Sequence, residues 1–187
     1  MYLIAFIIII GFAFVSTLIS IFNRFAKNRN QVKDAWSNID VALKRRHDLI
    51  PNLMNTVKGY ATHEQETFNQ VIAARNKAMS ASQNDINAQI KAENQLQQTL
   101  GKLFALSESY PDLKANSNFL DLQQKLNEIE ENLERSRRYY NSTVREHNTY
   151  GESFPGTVFA TMFKYQYFDF FETAAADREN INVDFSK

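Results

Sequence analysis

Proton-transfer chemistry near neutral pH would fall to three histidines, His47, His63 and His147. The run His63-Glu64-Gln65-Glu66-Thr67 opens like the zinc-binding His-Glu-x-x-His helix, but Thr67 stands where the second ligand is needed. A metal there would need ligands from other helices, and a stripe of His63, Glu64 and Glu66 reads as solvated surface. Bundles that hold two metals use inward-facing Glu-x-x-His pairs, and that tetrad does not occur. The chain lacks cysteine, which excludes thiolate metal sites, disulfides and cysteine nucleophiles. It also lacks a Gly-x-Ser-x-Gly elbow and a glycine-rich phosphate loop. No catalytic residue, metal ligand or cofactor is therefore assigned.

Recognition is the chemistry better represented. Lys44-Arg45-Arg46-His47-Asp48 is the densest charge run, suited to a carboxylate or phosphate partner. A mixed helical face braced by Asp40 and Asp48 explains it more cheaply. Arg137 and Arg138, with Asn141, are expected opposite this run in an antiparallel arrangement, forming a polar layer whose buried members need full hydrogen bonding. Tyr165, Tyr167, Phe168, Phe170 and Phe171 form an aromatic cluster. Phe168 and Phe171 either dock on the core or meet a membrane or protein partner. The absence of Lys and Arg between Gln166 and Ala176 argues against attraction of anionic lipid by that segment alone. Candidate interaction residues are thus Lys44, Arg45, Arg46, His47, Arg137, Arg138, Phe168 and Phe171.

The elements that position these residues begin with Met1–Phe22, where only Gly11, Ser16, Thr17 and Ser20 are not plainly apolar and no side chain is charged. As a helix it would reach roughly 33 Å, enough to cross a hydrocarbon core of about 30 Å. No basic residue precedes it and no Ala-x-Ala pattern ends it, so a retained anchor is expected rather than a cleaved signal peptide. Arg24, Lys27, Arg29 and Lys33 follow it, which predicts a short outer amino terminus and a cytoplasmic remainder. Lys+Arg and Asp+Glu balance at 21 each, so no global field gathers nucleic acid.

Few glycines and prolines in 187 residues favour long helices. Residues 23–34 read as a basic stalk continuing the anchor, and 35–171 as one bundle domain, followed by a polar tail at 172–187. Trp36, Ile39, Leu43, Ile50, Leu53, Val57 and Tyr60 alternate in steps of three and four. Arg46 fills the one polar slot, with its stem expected on apolar surface and its charge in water. Pro51 predicts a kink or break near residues 47–50, or a fresh start capped by Asp48. Gly59 and Thr62 suggest another break, although the spacing continues through Thr67, Val71, Ala74 and Ala78. Ile86–Leu106 is amphipathic, with Ser82 a candidate cap, and Tyr110-Pro111-Asp112 is a stop. Phe119, Leu122, Leu126, Ile129, Leu133, Ser136, Tyr140 and Thr143 make the longest seam. Gly151–Pro155 closes it, and Val158, Phe159, Met162 and Phe163 suit a short end-covering helix. The expected fold is all-α: a transmembrane helix and an antiparallel up-and-down bundle of long, coiled-coil-like helices.

The run AWSNIDVALKRRHDLIPNLMNTVKGYATHE at residues 35–64 and Tyr110–Asn116 resemble the LemA family of bacterial membrane-anchored helical proteins. Phe119–Gln123, Arg138–Asn141 with Val144 and Asn148, and Phe154-Pro155 resemble it in the same order. The sequence departs after Phe163, where Lys164-Tyr165-Gln166 replaces the family's frequent Gly-Phe pair and basic run. The resemblance implies a bundle of long antiparallel helices behind one amino-terminal transmembrane helix, placed on the cytoplasmic side. It carries no established reaction or catalytic residues, and one branch is associated with magnetosome membranes. The leading functional expectation is a membrane-tethered scaffold or protein-interaction module, linked to membrane-protein quality control or envelope maintenance. A hydrolase or metal enzyme assembled between helices is the alternative from another class, and a homo-oligomeric membrane organiser is the third. The expected partners are the bilayer through residues 2–22, a protein and a second copy of the chain, but no nucleic acid.

Overall fold

The computed structural model describes residues 1–81, 85–160 and 165–171. Among these it is all-α: α1 (Tyr2–Lys58), α2 (Gln65–Ser80), α3 (Ile86–Ser107), α4 (Pro111–Lys114), α5 (Ser117–Glu152) and α6 (Gly156–Ala160). Helices α1 and α5 pack antiparallel, as do α2 and α3. The chain divides into two units. One comprises Met1–Ala42 and Asn132–Phe170; the other comprises Leu43–Glu131 and, of the described C-terminal residues, Phe171. Both α1 and α5 run through the boundary as unbroken helices.

In the first unit the apolar start of α1 leaves Leu3, Ile4, Phe6 and Phe12 exposed on the isolated chain. A contiguous apolar surface of this length fits the hydrocarbon core of a bilayer. This is the membrane-spanning segment. The buried stripe of α1 begins at its end, with Ile21, Phe25, Asn28, Val32, Ala35 and Ile39. Residues 23–34 thus carry both the basic side chains and packed positions. Ring pairs Phe25–Tyr150 at 4.8 Å and Trp36–Tyr140 at 5.3 Å fix the antiparallel register with α5.

The second unit holds the larger apolar core, with Ile50, Leu53, Val57, Phe68, Val71, Leu96, Leu103, Leu113, Phe119 and Leu126 buried together. Small Ala74, Ala78 and Ala92 let α2 and α3 approach closely. Helix α1 ends at Lys58 and α2 starts at Gln65, so the continuous apolar spacing hides a real break at Gly59–Glu64. Glu64 rather than Thr62 precedes α2, without a side-chain cap. Asp85 caps α3 by accepting from the Ala88 amide at 2.9 Å. The expected cap Ser82 lies outside the described residues, as do Met162, Phe163 and the tail 172–187.

Pro51 does not break α1. Its ring nitrogen cannot donate to the His47 carbonyl four residues back. Instead Arg75 Nε, on α2, donates to that oxygen at 2.8 Å. A tertiary contact thus satisfies the acceptor that proline abandons, and the helix continues for two further turns.

Candidate functional site

Two polar arrangements stand out, one in each unit. In the second, Arg46 is fully buried, contrary to the expectation that its charge reaches water. Its Nη2 donates to Glu93 Oε2, and its Nη1 donates to Glu130 Oε1 at 2.6 Å. His47 Nε2 lies 2.9 Å from Glu93 Oε1. A buried guanidinium must be met by carboxylates because desolvation of a lone charge costs several kcal/mol. Helix α3 supplies Glu93 from a seam position between Ile90 and Leu96, and α5 supplies Glu130 beside Ile129.

Burial alone would raise the Glu93 pKa, but the His47 hydrogen bond and the Arg46 charge outweigh it and hold the carboxylate below its ordinary value. Burial would likewise lower the Arg46 pKa, and the charges of Glu130 and Glu93 reverse that, leaving it raised. A carboxylate held this way is a poor general base at neutral pH, since proton affinity is what a base needs. The cluster ties α1, α3 and α5 together through one buried guanidinium. His63 is exposed, and the described residues contain no group of three or more His, Asp or Glu placed to hold a metal ion.

The remaining candidates divide. Lys44 and Arg45 are exposed on α1. In the first unit, Arg137 is buried, whereas Arg138 is exposed and pairs with Glu134 one turn away. The buried stripe of α5 explains the difference: Leu126 and Leu133 give way to Arg137, Tyr140, Val144 and His147. A straight helix of 3.6 residues per turn drifts across a strict three-four seam, carrying Arg137 inward in place of Ser136. Phe168 is half-buried with its ring 5.0 Å from that of His147, and Phe171 is buried.

The second arrangement, at the membrane-proximal end of the first unit, escapes sequence reasoning. Residues 165–170 are not helical, so their backbone groups need partners. Helix α5 provides them. Tyr140 Oη donates to the Asp169 carbonyl at 2.9 Å, and Asn148 bonds both the amide and the carbonyl of Phe168 at 3.2 and 2.9 Å. His147 Nε2 meets the Gln166 carbonyl at 2.9 Å, and Tyr165 Oη donates to the His147 carbonyl. Tyr165 stacks on His147, with centroids 4.5 Å apart and planes 15° apart, and leans on Phe25 at 4.9 Å. Burial lowers the His147 pKa, the Gln166 carbonyl opposes that, and the charge of Arg29 reinforces it. Burial raises the Tyr140 hydroxyl to about 12.

Two glycines make room for this layer. A Cβ on Gly151 would stand 2.2 Å from the Tyr165 ring, and one on Gly156 would stand 2.0 Å from the Tyr150 carbonyl oxygen. Beside the layer is a cavity of about 110 Å³, lined by Phe22, Phe25, Ala26, Arg29, His147, Tyr165 and Gln166.

Among the described residues, one membrane-spanning helix followed by a helical bundle defines a membrane-anchored all-α protein. The family model of the LemA family matches residues 35–185, and the chain belongs to that family. It is similar to Protein LemA of Metamycoplasma hominis, 26% identical over 170 residues that cover 88% of this chain and 74% of the relative. It is also similar to magnetosome protein MamQ 2 of Paramagnetospirillum magneticum, 22% identical over 188 residues, and to magnetosome protein MamQ of Magnetospirillum gryphiswaldense, 21% identical; each match covers 88% of this chain and 69% of the relative.

Proposed function

We propose that the chain is a membrane-tethered helical scaffold that presents its bundle to a protein partner at the membrane surface. The observation that carries this reading is that α1 leaves the apolar span and packs its following turns on α5, through the Phe25–Tyr150 and Trp36–Tyr140 ring pairs. Packing of this kind ties the membrane-proximal helices to the anchor, which a flexible tether would not do. Working segments are the anchor at 1–22, the basic collar at 23–34, the bundle at 35–171 and the tail at 172–187. The basic collar orients the amino terminus outward and the bundle toward the cytoplasm.

Lys44 and Arg45 are the cations offered to a carboxylate-bearing partner, because both are exposed on α1. Photocrosslinkers placed at Val41 and Asp48, which flank them on the exposed face, test the reading in intact membranes. The expected result is one reproducible partner band that disappears when Lys44 and Arg45 are both changed to Glu. A band containing only this chain would assign the face to self-association. Recovery of the uncrosslinked protein alone would contradict the scaffold.

A further inference from the structure

The cavity beside Arg29 combines features that the scaffold reading leaves unused. Its position is set by the anchor: Phe22 ends the apolar span, and Ala26 and Arg29 follow four and seven residues later. On an upright helix those steps are roughly 6 and 10 Å, and tilt shortens the height further. The polar layer on each side of the hydrocarbon core is about 5–8 Å thick, so Phe22 and Ala26 lie within headgroup depth and Arg29 at its outer edge.

Its chemistry is divided in the same direction. Phe22, Phe25 and Tyr165 supply apolar wall, and Arg29 supplies charge. Arg29 is exposed and makes no ion pair among the described residues, while nearby Arg24 lies over the Tyr150 ring at 4.8 Å. His147 is buried, its Nε2 is engaged by the Gln166 carbonyl, and its Nδ1 has no hydrogen-bond partner among the described residues. A buried nitrogen without a partner among the described residues is uncommon, and His147 lines this pocket. The volume of about 110 Å³ is several times the roughly 10–15 Å³ that admits one water, which gives room for a headgroup fragment and not a whole lipid.

We propose that this pocket binds the phosphodiester of an anionic membrane phospholipid, with Arg29 pairing the phosphate and Phe22, Phe25 and Tyr165 lying against the glycerol and first acyl carbons. The aromatic segment lacks basic residues of its own, and α1 brings the missing charge to it. Guanidinium suits the task because its planar fork matches phosphate oxygens. Depth in the bilayer favours a lipid over free phosphate, since acyl chains hold the headgroup where the pocket opens. The site requires the anchor in a membrane and is independent of any protein partner.

The test uses the full chain in nanodiscs of phosphatidylcholine mixed with phosphatidylglycerol, with retained lipid counted by native mass spectrometry after release. The wild-type chain is expected to retain one phosphatidylglycerol in preference to phosphatidylcholine, whose choline already neutralises its own phosphate. Arg29→Gln removes the phosphate partner, and Ala26→Leu fills the cavity without changing any charge. Each should lower that retention by about tenfold, the scale of a charge-assisted hydrogen bond. Lys27→Gln, which removes a cation two residues away that does not line the cavity, should leave it unchanged. Equal losses from Lys27→Gln and Arg29→Gln, or no loss from Ala26→Leu in a chain of unchanged helicity, would overturn the site. Saturable uptake of inorganic phosphate without preferential phosphatidylglycerol retention would overturn its assignment to lipid.

Discussion

Arg75 and Pro51 should be energetically coupled although they lie on different helices. Arg75 Nε donates to the His47 carbonyl at 2.8 Å, the acceptor left open because residue 51 is proline. Arg75→Ala is expected to cost about 1.5–3 kcal/mol, the range for a hydrogen bond with a charged partner. Pro51→Ala restores an amide that can reach His47. It should be stabilising, by less than the roughly 3 kcal/mol penalty of proline in a helix interior, because the lost rigidity of the unfolded chain opposes it. In the Pro51→Ala background Arg75→Ala should cost about 1 kcal/mol less than in the native chain, since the carbonyl no longer depends on arginine. Denaturant unfolding of the four full-length proteins in detergent micelles, followed by helical ellipticity, closes the cycle. Additive effects within a few tenths of a kcal/mol would refute the explanation of the unbroken helix.

Arg46→Ala should destabilise the protein by about 3–5 kcal/mol, because Glu93 would be left buried without its cation, and thermal unfolding measures the loss. Replacing Arg46 and Glu93 together with Met should be much milder than either change alone, which a double-mutant cycle detects. The His147 and Glu93 pKa values both lie below their ordinary values of 6.5 and 4.5, so the unfolded chain binds these protons more readily. Stability should therefore fall as pH drops below about 6.5 and fall further below about 4.5. The first step should vanish in His147→Gln, read from melting temperatures across pH. Gly151→Ala places a methyl group where the Tyr165 ring lies, so Tyr165 should leave its stack and the His147 titration, followed by NMR, should move upward. An unmoved titration would show that Tyr165 does not shield the imidazole.

Much of the architecture can be read from the chain because spacing and length act locally. The apolar run to Phe22, the seams through Leu53 and Leu126, and the stop at Pro111 each follow from side-chain type and helical geometry. Pro51 misleads because the compensating donor lies on another helix, and Gly59 is ambiguous because α2 happens to preserve the spacing. Arg46 was half legible: a cation in a seam slot calls for a partner, and Glu93 occupies a seam slot on α3. Nothing local shows that the two slots face each other. The membrane-proximal layer is the least legible part. Its segment is held through backbone atoms by Tyr140, His147 and Asn148, and its glycines matter only for what packs over them.

The central claim is that one helix leaves the bilayer and becomes part of the bundle. Because the natural chain has no cysteine, single cysteines can be placed along α1 and probed with a membrane-impermeant maleimide in cells. Cysteines replacing Ile7, Phe12 and Val15 should react only after detergent treatment, and on the proposed topology one replacing Lys44 should react as soon as the cytoplasmic face is opened. Labelling of the Lys44 position in intact cells, or recovery of the unlabelled chain free of membrane, would contradict the account.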